Sequence, residues 1–184
     1  MEKLFEHILD DDEKIVKVFK PHKTKLFLSS LLLSAVSLIF FVVFAVIAIL
    51  FPEDKFVSAN AVYTLIPIGI FVIILGLIAI LIAIYYKNIY YAYSNKRIII
   101  RSGIFGVDYK SLDMSMIGAV NVSVSLLDKI LKKNTGSISF GSTASPVVSS
   151  KTSAYNFTHI TLPYETCKEV KSYIDAYKKE MNKK

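Results

Sequence analysis

Two stretches without a single charged side chain constrain this sequence more than any other feature. Between Lys25 and Glu53 there are 27 such residues, and between Lys55 and Lys87 there are 31. A bilayer core about 30 Å thick needs roughly 20 helical residues to cross it. Residues 26–51 and 60–86 therefore predict two transmembrane helices, the second preceded by a short approach from Phe56. A cleaved leader does not fit, because its apolar region is about 7–15 residues long and follows a short basic start. Here 25 residues precede a 26-residue run.

Composition agrees. The 184 residues are 53% hydrophobic and 20% charged, against roughly 45–50% and 25% in soluble domains. The polar remainder is too small to hide two such helices. Disorder, collagen and a disulfide-stapled module are excluded, the last because Cys167 is the lone cysteine.

Charge sets an expected orientation. Residues 1–25 are neutral overall, the link at Glu53, Asp54 and Lys55 carries −1, and residues 87–184 carry +8. Lys14, Lys17, Lys20, Lys23 and Lys25 precede the first run; Lys87, Lys96, Arg97 and Arg101 follow the second. Lysine and arginine gather on the cytoplasmic side, which predicts a multi-pass plasma-membrane protein with both termini in the cytoplasm. The expected division is a cytoplasmic segment 1–25, a hairpin 26–87 and a cytoplasmic domain 88–184. Only two of the 22 basic residues are arginine, a poor supply for gripping phosphates or reading bases. No nucleic-acid partner is expected.

No Asp, Glu, Lys, Arg or His lies inside either run, so the relay and ion sites of transporters are missing and the spans read as an anchor. Gly69, Gly76 and Ala83 recur every seven residues, and Ser30 and Ser34 form a small-xxx-small pair. Such residues let helices approach closely. They are the expected helix-packing positions, within the hairpin before any oligomer.

Beyond Asn88 the pattern changes to short β segments separated by Gly, Asn and Ser. Strands are expected at 89–93, 98–101, 107–112, 119–125, 137–140 and 157–162, with a helical turn at 126–131. A connection over 141–156 has room for a short strand at Val147-Val148. In the fourth of these, Val120, Val122 and Val124 alternate with polar residues, and the chain closes on a helix from Pro163, a residue suited to a first turn. Cys167, Val170, Ile174, Tyr177 and Met181 share one face of it. The expected fold is an antiparallel sandwich or barrel capped by this helix. Upstream, residues 15–19 read as extended and can add a strand to that sheet.

The sequence lacks a nucleophile elbow, a phosphate-binding Gly loop, His-Glu-x-x-His and Cys-x-x-Cys. His7, His22 and His159 are far apart. No enzyme, metal site or cofactor is expected. The five basic residues nearest the second run, Lys87, Lys96, Arg97, Arg101 and Lys110, are the candidate contacts to an anionic membrane surface.

The run Tyr91-Ala92-Tyr93-Ser94-Asn95-Lys96-Arg97-Ile98-Ile99-Ile100-Arg101-Ser102-Gly103, following two apolar runs, resembles the bacterial PH-like domain family of membrane proteins. Residues 117–122, 126–131 and Gly136-Ser137-Ile138-Ser139-Phe140 fill the family's downstream pattern, while Lys132-Lys133-Asn134-Thr135 replaces a common glycine-rich turn. The resemblance implies a PH-like fold: a bent antiparallel sheet of about seven strands with a capping C-terminal helix. The resulting expectation is a non-enzymatic interaction or scaffolding module at the cytoplasmic membrane surface, binding a protein partner or itself. Sensing of anionic lipid is the alternative, and an oligomeric pore built from hairpins is a third reading.

Overall fold

The computed structural model describes residues 4–50, 61–130, 134–143 and 154–183. The expected loop at 51–60 and the expected short strand at Val147-Val148 lie outside the described residues. The chain divides into two compact units, one of residues 24–84 and one made of residues 1–23 together with 85–184.

In the helical unit, α1 (Lys23–Leu50) and α2 (Ala61–Asn88) are each 28 residues long, or about 42 Å at helical rise. The Phe41 and Phe71 rings stack 5.6 Å apart. Nearer the start of α1, Ser30 and Ser34 line a groove with Leu75, Ile78, Ala79 and Ile82, so the two helices run antiparallel. Both serine hydroxyls donate back to their own helix, to the Phe27 and Leu31 carbonyls at 2.7 Å. That satisfies each hydroxyl without a partner helix. The expected packing positions therefore divide. Ser30 and Ser34 face α2, whereas a methyl group added at Gly69 or Gly76 would meet nothing within 4 Å, and Ala83 is exposed. Among the described residues one stretch, Gly69–Asn88, is long and apolar enough to cross a membrane; its mean hydropathy is 2.8 and none of it is buried.

The other unit holds two antiparallel sheets. The first runs in the order β1 (Ile15–Phe19), β2 (Tyr90–Ser94), β3 (Arg97–Ser102), β4 (Asp108–Asp113). The second is β5 (Ile117–Ser123), β6 (Thr135–Ser142), β7 (Tyr155–Thr161), with the short helix α3 (Leu126–Ile130) between its first two strands. Helix α4 (Pro163–Met181) follows β7. Among the described residues, seven strands and a C-terminal helix match the arrangement implied by the family resemblance.

One expected boundary is corrected. The sequence predicts residues 1–25 as a segment separate from the domain, yet β1 pairs with β2, Phe19 opposite Tyr91 and Val18 opposite Ala92. The residues before β1 also belong to it. Phe5 is fully buried against Ala92 and Ile99, with Leu4, Ile8, Leu9, Val18 and Tyr109 around them, and the Tyr109 hydroxyl donates to the Leu4 carbonyl at 2.9 Å. The two α-helices are thus inserted between the first and second strands of one sheet.

This cover explains the run Ile98-Ile99-Ile100. Side chains alternate across a strand, so Ile98 and Ile100 enter the main core while Ile99 faces Phe5. A strand buried on both faces has no polar position to spare. The main core adds Tyr91, Tyr93, Met114, Ile138, Phe140 and Phe157, with Phe157 edge-on to Phe140 at 4.8 Å and stacked on Tyr91 at 4.9 Å. Burial pushes the Tyr91 hydroxyl pKa up to about 12, against the opposing hydrogen bond with Thr158.

Helix α4 seals this core. Leu162 turns the chain with φ of 51°, and Pro163 opens the helix. Val170 and Ile174 are core residues, with Cys167 and Tyr177 packed at its margin. Met181, expected on the same face, is half exposed. In the Gly136-x-Ile138-x-Phe140 motif, a methyl group at Gly136 would sit 2.9 Å from both Pro163 Cγ and the Ser123 carbonyl oxygen. Glycine there lets α4 start directly over β6.

Candidate functional site

Antiparallel register decides what gathers at each end of the first sheet. Phe19 lies opposite Tyr91, Tyr90 opposite Arg101, and Ser102 opposite Asp108. One end therefore carries the exit from β1 toward α1, the entry from α2 into β2, and the β3–β4 turn at residues 103–107. The other end carries the Asn95-Lys96 reversal, Glu13 and Asp113.

At the first end, Asn88 closes α2 and joins it to the turn. Its side-chain amide donates to the Gly103 carbonyl at 3.2 Å, and its own carbonyl accepts from Arg101 Nη1 at 3.1 Å. Arg101 Nε donates to the Tyr109 hydroxyl at 3.3 Å, and its guanidinium lies 5.6 Å from the Tyr90 ring centre. Lys20 Nζ sits between two rings, 4.5 Å from Tyr86 and 4.6 Å from Tyr90, and donates to the Tyr90 hydroxyl at 3.2 Å. Cations held against ring faces in this way gain about 0.5–1 kcal/mol each where exposed. Lys87 and Lys110 are exposed. Lys20 and Arg101 are thus braced by tyrosines at the end where α2 terminates.

The turn itself is apolar. Phe105 is 94% exposed, and Ile104 and Val107 beside it are also exposed. Gly103 has φ of +150°, and a methyl group there would lie 2.0 Å from the Gly106 carbonyl oxygen. This close approach within the turn requires glycine.

At the opposite end, Arg97 is occupied. Its Nη2 donates to Glu13 Oε2 at 2.7 Å and to the Ile8 carbonyl at 2.7 Å, and Nε donates to both Glu13 oxygens. Ser94 Oγ donates to Glu13 Oε1 at 2.5 Å. Burial alone raises the Glu13 pKa, but the hydrogen bonds from Arg97 and Ser94 reverse the sign and hold it below its ordinary value. Lys96 is 3.9 Å from Asp10.

The five cations expected at the membrane surface are therefore not one patch. Lys87, Arg101 and Lys110 belong to the α2 end. Lys96 and Arg97 lie at the far end, about 16 Å away along β3 at strand rise, and Arg97 is committed to an internal ion pair. Sequence reasoning missed Lys20, Asn88 and Phe105. Phe105 had a visible signal: an aromatic residue between glycines, in a turn with no apolar partner nearby.

No arrangement for covalent chemistry emerges among the described residues. Among the described residues, no cluster of three or more His, Cys, Asp or Glu is placed to hold a metal. Burial pushes the Cys167 thiol up, against a smaller opposing pull from Lys171, which disfavours the thiolate. A cavity of about 350 Å3 lies beside Asp128, Pro163 and Tyr164. Asp128 is engaged there by Ser125 and Thr135 in stabilising the turn before α3.

The family model described as "Bacterial PH domain" matches residues 19–181. No curated protein and no solved structure matches the chain.

Proposed function

Because the chain belongs to the bacterial PH domain family, we propose that it is an interaction module anchored by the α1–α2 hairpin at the cytoplasmic face of the plasma membrane. PH-like domains are generally non-catalytic, and the module reading assigns no reaction to this one. The observation that carries the proposal is the pairing of β1, before both helices, with β2, after them. Two strands that pair in one sheet lie on one side of a bilayer, so the segment between them must cross it an even number of times. If α2, with its unburied window of mean hydropathy 2.8, crosses, α1 has to cross as well. The lysines flanking both helices, against one lysine and two acids between them, favour the cytoplasm for the domain.

The partner proposed first is a protein or a second copy, since a hairpin tether already supplies localisation. The cations Lys20, Lys87, Arg101 and Lys110 favour a second reading, in which the α2 end of the domain rests on anionic headgroups. Alkaline carbonate extraction of membranes carrying the full chain tests the anchor. The chain is expected in the membrane pellet; release into the supernatant overturns the proposal.

A further inference from the structure

The β3–β4 turn presents a phenylalanine to solvent at the point where α2 ends. We propose that Ile104, Phe105 and Val107 form an interfacial wedge that enters the headgroup and upper acyl region of the bilayer and fixes the tilt of the domain. This rests on the anchoring reading above. If α2 crosses, its last residue, Asn88, lies at headgroup depth. Asn88 holds the Gly103 carbonyl at 3.2 Å, and Phe105 is two residues further, within about 7 Å of backbone. The wedge then has the bilayer surface within reach.

Three observations fit a lipid surface. Phe105 is almost fully exposed to water, and removing such an apolar side chain from water favours association. Arg101, bonded to the Asn88 carbonyl, and the exposed Lys87 one residue before Asn88 bring positive charge to this end, while the exposed Asp108 opens β4. Tyr86 and Tyr90, on either side of the end of α2, are amphipathic rings of the kind that collect at headgroup depth. The turn is held in place: Gly103 packs against Gly106, and its carbonyl is bonded to Asn88.

The sequence contains no tryptophan, so single substitutions give site-specific probes in the full chain. Phe105→Trp, Phe71→Trp in α2 and Tyr164→Trp at the start of α4 are each reconstituted into vesicles of mixed neutral and anionic lipid, with bromine placed high or deep on the acyl chain. The wedge predicts blue-shifted emission of Phe105→Trp, quenched most by the high bromine. Phe71→Trp is then quenched by bromine, and Tyr164→Trp is not. Quenching at position 71 without quenching at 105 overturns the wedge and leaves the anchor standing. Quenching at neither position overturns the anchor and the wedge together. A blue shift of Phe105→Trp in lipid-free detergent that grows with protein concentration assigns the turn to a second copy and overturns the lipid assignment.

Discussion

Glu13 and Arg97 stand 84 residues apart in sequence, on either side of both long helices, and their side chains meet at 2.7 Å with the Glu13 side chain wholly buried. The pair joins the N-terminal segment to the first sheet. It works alongside the Arg97 bond to the Ile8 carbonyl and the β1–β2 ladder.

Replacing Glu13 with Gln leaves a partly buried guanidinium without its counter-ion. Breaking a buried pair from one side costs about 3–5 kcal/mol, and the partial exposure of Arg97 reduces the expected loss to about 2–4 kcal/mol. Because the folded Glu13 pKa lies below the ordinary 4.5, its contribution is complete above that pH and is lost as pH falls through the folded value. Thermal melts of the detergent-solubilised chain, at neutral pH and in acid, should show the parent losing stability on acidification more steeply than Glu13→Gln.

A fragment that begins at Asn88 lacks β1, the Phe5 plug and Glu13. It exposes the β2 edge and the outer face of Ile99. The fragment should aggregate or melt without cooperativity, whereas residues 1–22 joined to 88–184 by a short Gly/Ser linker should melt cooperatively. Equal melting of the two would contradict the inserted-hairpin architecture.

Much of this fold is legible in the sequence because its signals are local. Period-two alternation marks Val120 and Val122 against Asn121, residues 15–19 form the strand that the sequence predicts, and 3–4 spacing places Val170 and Ile174 on the buried face of α4. The membership of residues 4–13 in the domain is not local. Their partners lie beyond the two helices, and nothing in a run such as Asp10-Asp11-Asp12-Glu13 distinguishes the one acid that is buried. The division of the five cations between two ends has a related reason. Proximity in sequence placed Lys96 and Arg97 with Arg101, but a strand carries its two ends to opposite edges of a sheet.

Gly103→Ala should destabilise the domain by about 2 kcal/mol or more, since a strained backbone and a carbonyl clash act together. Gly106→Ala, where an added methyl group meets nothing within 4 Å, should stay within about 0.5 kcal/mol. Differential scanning of the two variants separates turn strain from any general intolerance of the loop.

The Tyr93 hydroxyl donates to Glu169 Oε1 at 2.8 Å, and Glu169 also accepts from Lys17 at 2.6 Å, linking α4 to the first sheet. Tyr93→Phe keeps the ring stacked against Phe19 and removes only the bond, an expected loss of about 1 kcal/mol. Lys17→Met should cost less, because that ion pair is largely exposed. Equal losses would show that the exposed pair holds the helix as strongly as the tyrosine does.

Sidedness tests the central claim, a hairpin that crosses the membrane twice beneath a cytoplasmic domain. In a Cys167→Ala background, single cysteines at Glu53, between the two helices, and at Asp175, exposed on α4, are treated with a membrane-impermeant maleimide on intact cells. The account predicts labelling of Glu53→Cys from outside, and of Asp175→Cys only after permeabilisation. Labelling of both from the same side, or protection of Glu53→Cys in intact cells, would contradict it.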